Sequence, residues 1–513
     1  MSSKGAQARA IMVLGTTSGA GKSWLTTALC RWAARQGLKV APFKAQNMSN
    51  NARVVSGPNG AWGEIGSAQY FQALAARCLP DVRMNPILLK PESDTGSQVV
   101  VWGQVRDDYS RMPWRERSEV LWPHARQALH ELMASHDLVV IEGAGSPAEI
   151  NLHASDYVNM RTAMEAQARC LLVTDIDRGG AFAHLYGTHQ LLPESERALI
   201  RGFVLNRFRG DASLLAPGPQ QLQDLTGVPT VAVLPEWRGH GLPEEDGLDG
   251  GAWRGGEVAP FRALKRVAVV AYPAISNLDE FQSLRHLPDV RLTWARTPQD
   301  LDGVDWIILP GSKRTQTDLV WLKLQGLADA IVAHARAGQP VLGICGGLQM
   351  LGEWLCDPDG GDGGLVQQAG LGLLPLVTRF EAHKLVRPAE LHFSPGLSSA
   401  WAAWDGLCWP GYEIHQGRTT VLEGCEDQVQ AALWAGQQES GLAGEGSDQA
   451  QPLGWARGSV LGVYAHGAFE SATLLRAQFG PGTPTWEQVL DGLADYIDRH
   501  FEAGILSEWT KQT

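Results

Sequence analysis

"IMVLGTTSGAGKSWLTTALCRWAARQG", residues 11–37, joins an apolar run, a glycine-rich turn and a segment of helical periodicity. Ile11 to Leu14 reads as a buried strand. Leu25, Ala28, Leu29 and Trp32 recur at the spacing of one helix face, and Gly37 ends that helix. Strand, glycines, Lys-Ser and helix in this order are what phosphate binding requires. Gly15, Gly19 and Gly21 let backbone N–H groups face an anion at the helix N-terminus, Lys22 reaches the β- and γ-phosphates, and the Ser23 hydroxyl can ligate Mg2+. Five residues, where the common pattern has four, separate Gly15 from Gly21.

Outward from this stretch, short β-rich runs alternate with helical patterns: "KVAPF", "LVVIE", "CLLVT", "GFVLN" and "TVAVL". Continuous apolar runs of this kind are buried parallel strands, so residues 9–240 read as a doubly wound α/β domain. The Gly- and acid-rich segment 241–262 has no periodicity and reads as a linker. A second α/β domain is expected over 263–505, with strands "RVAVVAY", "DWIILP", "PVLGI" and "SVLGVYAH" and an exposed loop at 435–454.

The 513 residues exceed what one hydrophobic core supports, and 44% hydrophobic with 19% charged residues describes a globular protein. A formal charge of −12 argues against a nucleic-acid binder, which needs a basic face. No run approaches the roughly 18 apolar residues of a membrane span, and the first ten residues lack the apolar core of a signal peptide. A cytoplasmic protein without membrane partners is expected. Seven scattered cysteines show neither CxxC nor metal-ligand spacing.

Glu142, at the C-terminal end of "LVVIE", lies where open α/β sheets hold their ligands and could bind Mg2+. Asp156, Asp175 and Asp177 are further acidic candidates near the same edge. Asn206 ends the strand "GFVLN", where related nucleotide binders recognise the base. It is not part of an Asn-Lys-x-Asp guanine signature, so ATP is preferred.

Cys345, in "GICGGLQMLG" (343–352), sits between the strand "PVLGI" and an apparent helix "LQMLGEWL". Glycines at 343, 346 and 347 permit a sharp elbow, and a helix N-terminus there favours thiolate. His466, at the end of "SVLGVYAH", can act as its base if the two strands are neighbours. The backbone N–H of Gly311 or Ser312, with that of Gly346, could form an oxyanion hole. Cys345 therefore reads as a nucleophile for acyl transfer.

The GxCGG elbow with its distant histidine resembles the class I glutamine amidotransferases, which have a flavodoxin-like domain and release ammonia from glutamine. That family usually keeps a glutamate two residues after the histidine. Here the position is Ala468, which leaves Glu470 as the alternative orienting acid or a dyad as the mechanism. The N-terminal half resembles the dethiobiotin synthetase type of P-loop ATPase, which shares the long glycine spacing and a second lysine, here Lys44.

Four stretches, "FKAQNMSNN", "KPESDTGSQVVVWG", "DYVNM" with "DIDRGGAFA", and "GYEIHQGRT", make the whole chain similar to the cobyric acid synthase family. That resemblance implies ATP- and glutamine-dependent amidation of the b, d, e and g carboxylates of adenosylcobyrinic acid a,c-diamide. It also gives Asp156 a place as an acid needed for amidation, and leaves "GYEIHQGRT" as either one lip of a corrin site or part of the glutaminase core. Cobyrinic acid a,c-diamide synthase is the nearest rival. A ParA- or MinD-like switch is the rival from another class, but the lysine such proteins carry five residues before the invariant one is Thr17 here.

Overall fold

The structure, a computed structural model, describes residues 8–92, 96–237, 239–242, 265–287, 289–398, 400–436, 451–480 and 485–511. Most of the linker and the centre of the 435–454 loop lie outside the described residues. The chain forms two compact units.

In the first unit, strands β1 (Arg9–Gly15), β2 (Val40–Phe43), β3 (Leu138–Glu142), β4 (Arg169–Asp175), β5 (Ile200–Phe208) and β6 (Thr230–Pro235) make a parallel sheet in the order β6-β5-β4-β1-β3-β2. Successive residues feed opposite faces. Met12, Leu14, Val139 and Ile141 enter one core, while Ile11, Val13, Val140 and Val173 enter the other. Burial on both faces is why these strands read as unbroken apolar runs. Helix α1 (Lys22–Arg35) follows β1 directly, as the periodicity predicts.

The domain boundary expected at 505 is corrected: the chain returns to the first unit from Pro484 onward. The helix Trp486–His500 buries Leu490, Leu493, Ala494 and Ile497, one i, i+3, i+4, i+7 face, in the core that α1 also covers. Arg31, fully buried on α1, bonds Asp491 Oδ1 at 2.8 Å and the carboxylate of Glu487, and the Trp32 indole donates to Asp498 at 2.8 Å.

The second unit carries β7 (Lys265–Val270), β8 (Val290–Ala295), β9 (Trp306–Leu309), β10 (Val341–Ile344), β11 (Trp354–Cys356), β12 (Gln367–Ala369), β13 (Leu376–Phe393), β14 (Cys408–Val421), β15 (Gln430–Ala435), β16 (Gly454–Arg457) and β17 (Val460–Val463). Their order is β8-β7-β9-β10-β17-β16-β15-β13-β11-β12, with β14 paired to β13. The strands from β8 to β17 are mutually parallel, and beyond them antiparallel pairs, with one parallel pair between β13 and β11, extend the sheet. Strands β10 and β17 are adjacent, with Ile344 beside Val463, so both chain ends that carry Cys345 and His466 leave the sheet together.

Helix α2 (Gly346–Leu351) is shorter than the expected "LQMLGEWL". At Gly352 the chain turns, and the N–H of Glu353 donates to Leu376 O at 2.8 Å, drawing Trp354–Cys356 into the sheet as β11. A Cβ at Gly352 would stand 2.9 Å from that same carbonyl.

Candidate functional site

Cys345 lies at the elbow between β10 and α2 with φ 52° and ψ −106°, a conformation an L-residue adopts only under strain. Two backbone bonds hold it there: its N–H donates to Val463 O at 2.8 Å, and its carbonyl accepts from Gln349 N at 3.1 Å. The Sγ donates to Ile414 O at 3.4 Å and lies near enough to His466 to favour its charged form.

His466 is 1% exposed, and its Nδ1 meets Glu280 Oε2 at 3.0 Å. Glu280 Oε1 accepts the N–H groups of Gly467 at 2.8 Å and Ala468 at 3.2 Å, so both oxygens of this buried carboxylate are committed. Burial pulls the imidazole pKa down, but Cys345 and Glu280 beside it prevail and push it up to about 10. The acid bonded to His466 is therefore Glu280, where the sequence had left Glu470 or a dyad open. Gly467 is left-handed at φ 96° and leads into the short turn Ala468–Glu470, which places Ala468 N, not a side chain of that turn, on the Glu280 carboxylate.

Gly311 and Gly346 converge on the same point. A Cβ on Gly346 would stand 2.8 Å from Ser312 N, and one on Gly311 would stand 3.1 Å from His466 Cε1. Gly311–Ser312 pairs antiparallel with Ile275–Ser276, in the segment that also delivers Glu280. Asp318 fixes this strand from behind, accepting from Ser312 Oγ at 2.6 Å and from Ala274 N at 3.1 Å. Burial pushes its pKa up to about 6 against the lowering effect of those bonds.

"GYEIHQGRT" lines the thiol. Tyr412 stacks on His466 with centroids 5.4 Å apart, and His415 stacks on Tyr464 at 4.0 Å. Glu413, fully buried, takes Arg387 Nε at 2.6 Å and His415 Nε2 at 3.1 Å.

In the first unit, Gly19 (φ 68°) and Gly21 (φ 99°) shape the loop between β1 and α1. A Cβ on Gly15 would stand 3.0 Å from Lys22 Cδ. Lys22 Nζ donates to Thr17 O at 3.1 Å and Gly145 O at 3.4 Å. Glu142 Oε1 takes Ser23 Oγ at 3.0 Å and Lys44 Nζ at 2.8 Å, while Oε2 takes Gln72 Nε2 at 2.5 Å. Ser23 and Glu142 thus present adjacent oxygens of the kind Mg2+ takes, and the residues fit that ion. Gln72 went unnoticed in the sequence, having no motif around it. No cluster of three or more His, Cys, Asp or Glu that could hold a metal exists among the described residues. Mg2+ does not require one, because nucleotide phosphates and water complete its shell.

Asn206, 2% exposed, spends its Nδ2 on Ala20 O at 2.9 Å and so braces the phosphate loop. Asp156 Oδ1 accepts from the N–H of Val158 at 2.8 Å and of Asn159 at 3.1 Å, and Oδ2 accepts from Asn159 Nδ2 at 2.8 Å. Burial nevertheless raises its pKa. Asp175 pairs with Arg207 at 3.0 Å and Arg178 at 3.3 Å, and Asp177 pairs with Arg209, so each acid is matched with an arginine.

A nucleotide-binding unit followed by a glutamine amidotransferase unit is the class these two sites define. Residues 11–239 match the CobQ/CobB/MinD/ParA nucleotide binding domain, and 266–474 match the CobB/CobQ-like glutamine amidotransferase domain. The cobyric acid synthase of Leptothrix cholodnii is 64% identical over 511 residues, covering 98% of this chain and 96% of its own. That of Methylibium petroleiphilum is 65% identical over 503 residues, covering 97% and 96%. The chain belongs to the cobyric acid synthase family, as a glutamine amidotransferase ligase. Among solved structures, a glutamine amidotransferase aligns with 42% of this chain and 96% of its own at 19% identity and a TM-score of 0.30. No described helix is long and apolar enough to cross a membrane.

Proposed function

We propose that the chain makes adenosylcobyric acid in the cytoplasm by amidating the b, d, e and g carboxylates of adenosylcobyrinic acid a,c-diamide, with ATP and glutamine as co-substrates. The observation that carries this reading is the buried His466–Glu280 pair beside Cys345 at its strained elbow, in a protein that also holds a phosphate loop with its lysine.

Cys345 Sγ attacks the side-chain amide carbon of glutamine, and the oxyanion meets the N–H groups beside Gly311 and Gly346. His466, kept protonated by Glu280, gives its proton to the departing nitrogen, leaving ammonia and a glutamyl thioester. The neutral imidazole then takes a proton from water as that water attacks the thioester, which frees glutamate and returns the Cys345 sulfur as thiolate beside the imidazolium.

At the phosphate loop the γ-phosphoryl of ATP passes to a substrate carboxylate, with Lys22 on its charge. Ser23 and Glu142 would hold Mg2+, which supplies charge neutralisation at the phosphates. Ammonia displaces phosphate from the acyl phosphate to give the amide. Asp156 is the further acid of the amidation step, either as a metal ligand or by orienting the incoming ammonia.

The test follows glutamate release and corrinoid mass for wild type and Cys345→Ala, supplied with ATP, Mg2+ and adenosylcobyrinic acid a,c-diamide. The variant is expected to lose amidation from glutamine and keep amidation from ammonium salts. Amidation from glutamine by the variant would remove Cys345 from the mechanism. Failure of wild type to amidate this corrinoid while amidating the a and c positions of cobyrinic acid would favour the rival synthase.

A further inference from the structure

Beside Asp156 the first unit holds an open cavity of about 810 Å³. Its lining includes Trp122, Arg126, Pro147, Asp156, Met160 and Arg161. It adjoins the phosphate site through a short path of bonds. Asn159 Nδ2 donates both to Asp156 Oδ2 and to Ala144 O, each at 2.8 Å; the next residue, Gly145, accepts from Lys22 Nζ at 3.4 Å; and Pro147, two residues on, lines the cavity. The loop 143–147 is thus touched on one side by the phosphate-loop lysine and on the other forms the cavity wall.

The chemistry of the lining is mixed in a regular way. Trp122, Met160 and Met164 are apolar members of the wall, the first two largely buried behind it. Around them each arginine is matched with a carboxylate, Arg126 Nε to Glu165 Oε1 at 2.9 Å and Arg161 NH1 to Glu119 Oε1 at 2.9 Å, and His153 Nε2 lies 2.9 Å from Glu196 Oε2. Arg161 also lies over the Trp122 ring, 4.8 Å from its centroid. Both guanidiniums keep an exposed face, with side chains 54% and 38% accessible for Arg126 and Arg161.

Such a rim suits a ligand whose arms change during the reaction. A purely basic pocket would hold a polycarboxylate tightly and lose its grip as each carboxylate became an amide. With donors and acceptors side by side, a carboxylate takes the arginine, while a carboxamide gives its oxygen to the arginine and its N–H groups to the neighbouring glutamate.

We propose that this cavity seats the corrinoid, with Arg126 and Arg161 gripping side-chain carboxylates, Glu119 and Glu165 taking the amides already formed, and Asp156 at the reacting arm. The proposal rests on the reading of the chain as a corrinoid amidase. The charged rim holds the side-chain arms, and reseating between rounds exchanges one arm for another on the same rim.

The experiment measures binding of adenosylcobyrinic acid a,c-diamide to the full chain by ultrafiltration, for wild type, Arg126→Ala and Arg161→Ala. ATP binding and glutaminase rate are read in parallel. Each arginine variant is expected to bind the corrinoid about tenfold more weakly, the size of one lost charge-assisted bond, with ATP binding and glutaminase rate unchanged. Arg126→Ala keeps the test decisive if loss of Arg161 unsettles Trp122. Glu165→Gln is expected to raise the fraction of partly amidated corrinoid released. If wild type binds and amidates the corrinoid and both arginine variants bind it within twofold of wild type, the cavity is not its seat. If wild type neither binds nor amidates it, the functional reading fails and takes the cavity proposal with it.

Discussion

At the thiol site Glu280 already orients His466 and the backbone already fixes Cys345 beside it, whereas at the phosphate loop Lys22, Ser23 and Lys44 hold protein groups that a nucleotide and its cation would claim. The first site spends its bonds on orientation, and glutamine has only to enter. The second spends its bonds on charge: Glu142 is neutralised by Lys44 and bonded by Ser23 and Gln72, and Lys22 rests on two carbonyl oxygens. Nucleotide binding must exchange these bonds for bonds to phosphate. The thiol site is therefore rigid and costly to perturb, while the phosphate site tolerates exchange as part of its cycle.

The comparison breaks first at Glu280. In Glu280→Gln the carboxylate that orients and charges His466 is gone, and glutaminase kcat is expected to fall about a thousandfold or more, as when the acid of a Ser-His-Asp triad is amidated. Steady-state glutamate release measures it, and ammonia-dependent amidation should survive. The pH profile sharpens the point. Because the His466 pKa is raised to about 10, the imidazolium persists through neutrality and is lost only as pH climbs toward that value. The stabilisation it brings is full below its ordinary value near 6.5 and disappears over the same rise. In Glu280→Gln the descending limb is expected to move toward neutrality. An unmoved limb would leave Glu280 a merely structural group.

At the other site, Lys22→Met should cut amidation from either nitrogen source by about a hundred- to a thousandfold, the scale of removing one preorganised charge from a transition state. Glutaminase activity should persist. Loss of both activities together would show that the thiol site is not independently built.

What the sequence reading caught and missed follows from the range of the interactions. The six strands of the first sheet were legible because burial on both faces leaves an unbroken apolar run. Cys345, Lys22 and Ser23 were legible because their neighbours are local glycines and a following helix. Glu280 was not, because its contact with His466 spans 186 positions and a local rule pointed to Glu470 instead. The helix 486–500 shows an apolar stripe, but a stripe states that a face is buried without saying against what. "GYEIHQGRT" was readable as a strand, and it lies against Cys345 and His466.

That C-terminal helix offers the next test. Leu493, fully buried against the α1 core, should cost about 2–5 kcal/mol when cut to Ala. If the helix belongs to the first unit as the structure has it, thermal unfolding read with bound nucleotide should shift, and the glutaminase rate at temperatures below the transition should not.

The smallest effect is expected at Asn206. The strand-end position suggested base recognition, but its Nδ2 is bonded to Ala20 O inside the phosphate loop. Asn206→Ala removes one buried hydrogen bond worth about 1 kcal/mol, so the KM for ATP should rise about fivefold. Because the lost bond braces the loop and not the base, the KM for GTP should rise by the same factor, and the ratio of the two should stay where it was. A variant that changed the ratio and left the ATP value alone would return Asn206 to the base, and the phosphate loop would then owe its shape to Gly19 and Gly21 alone.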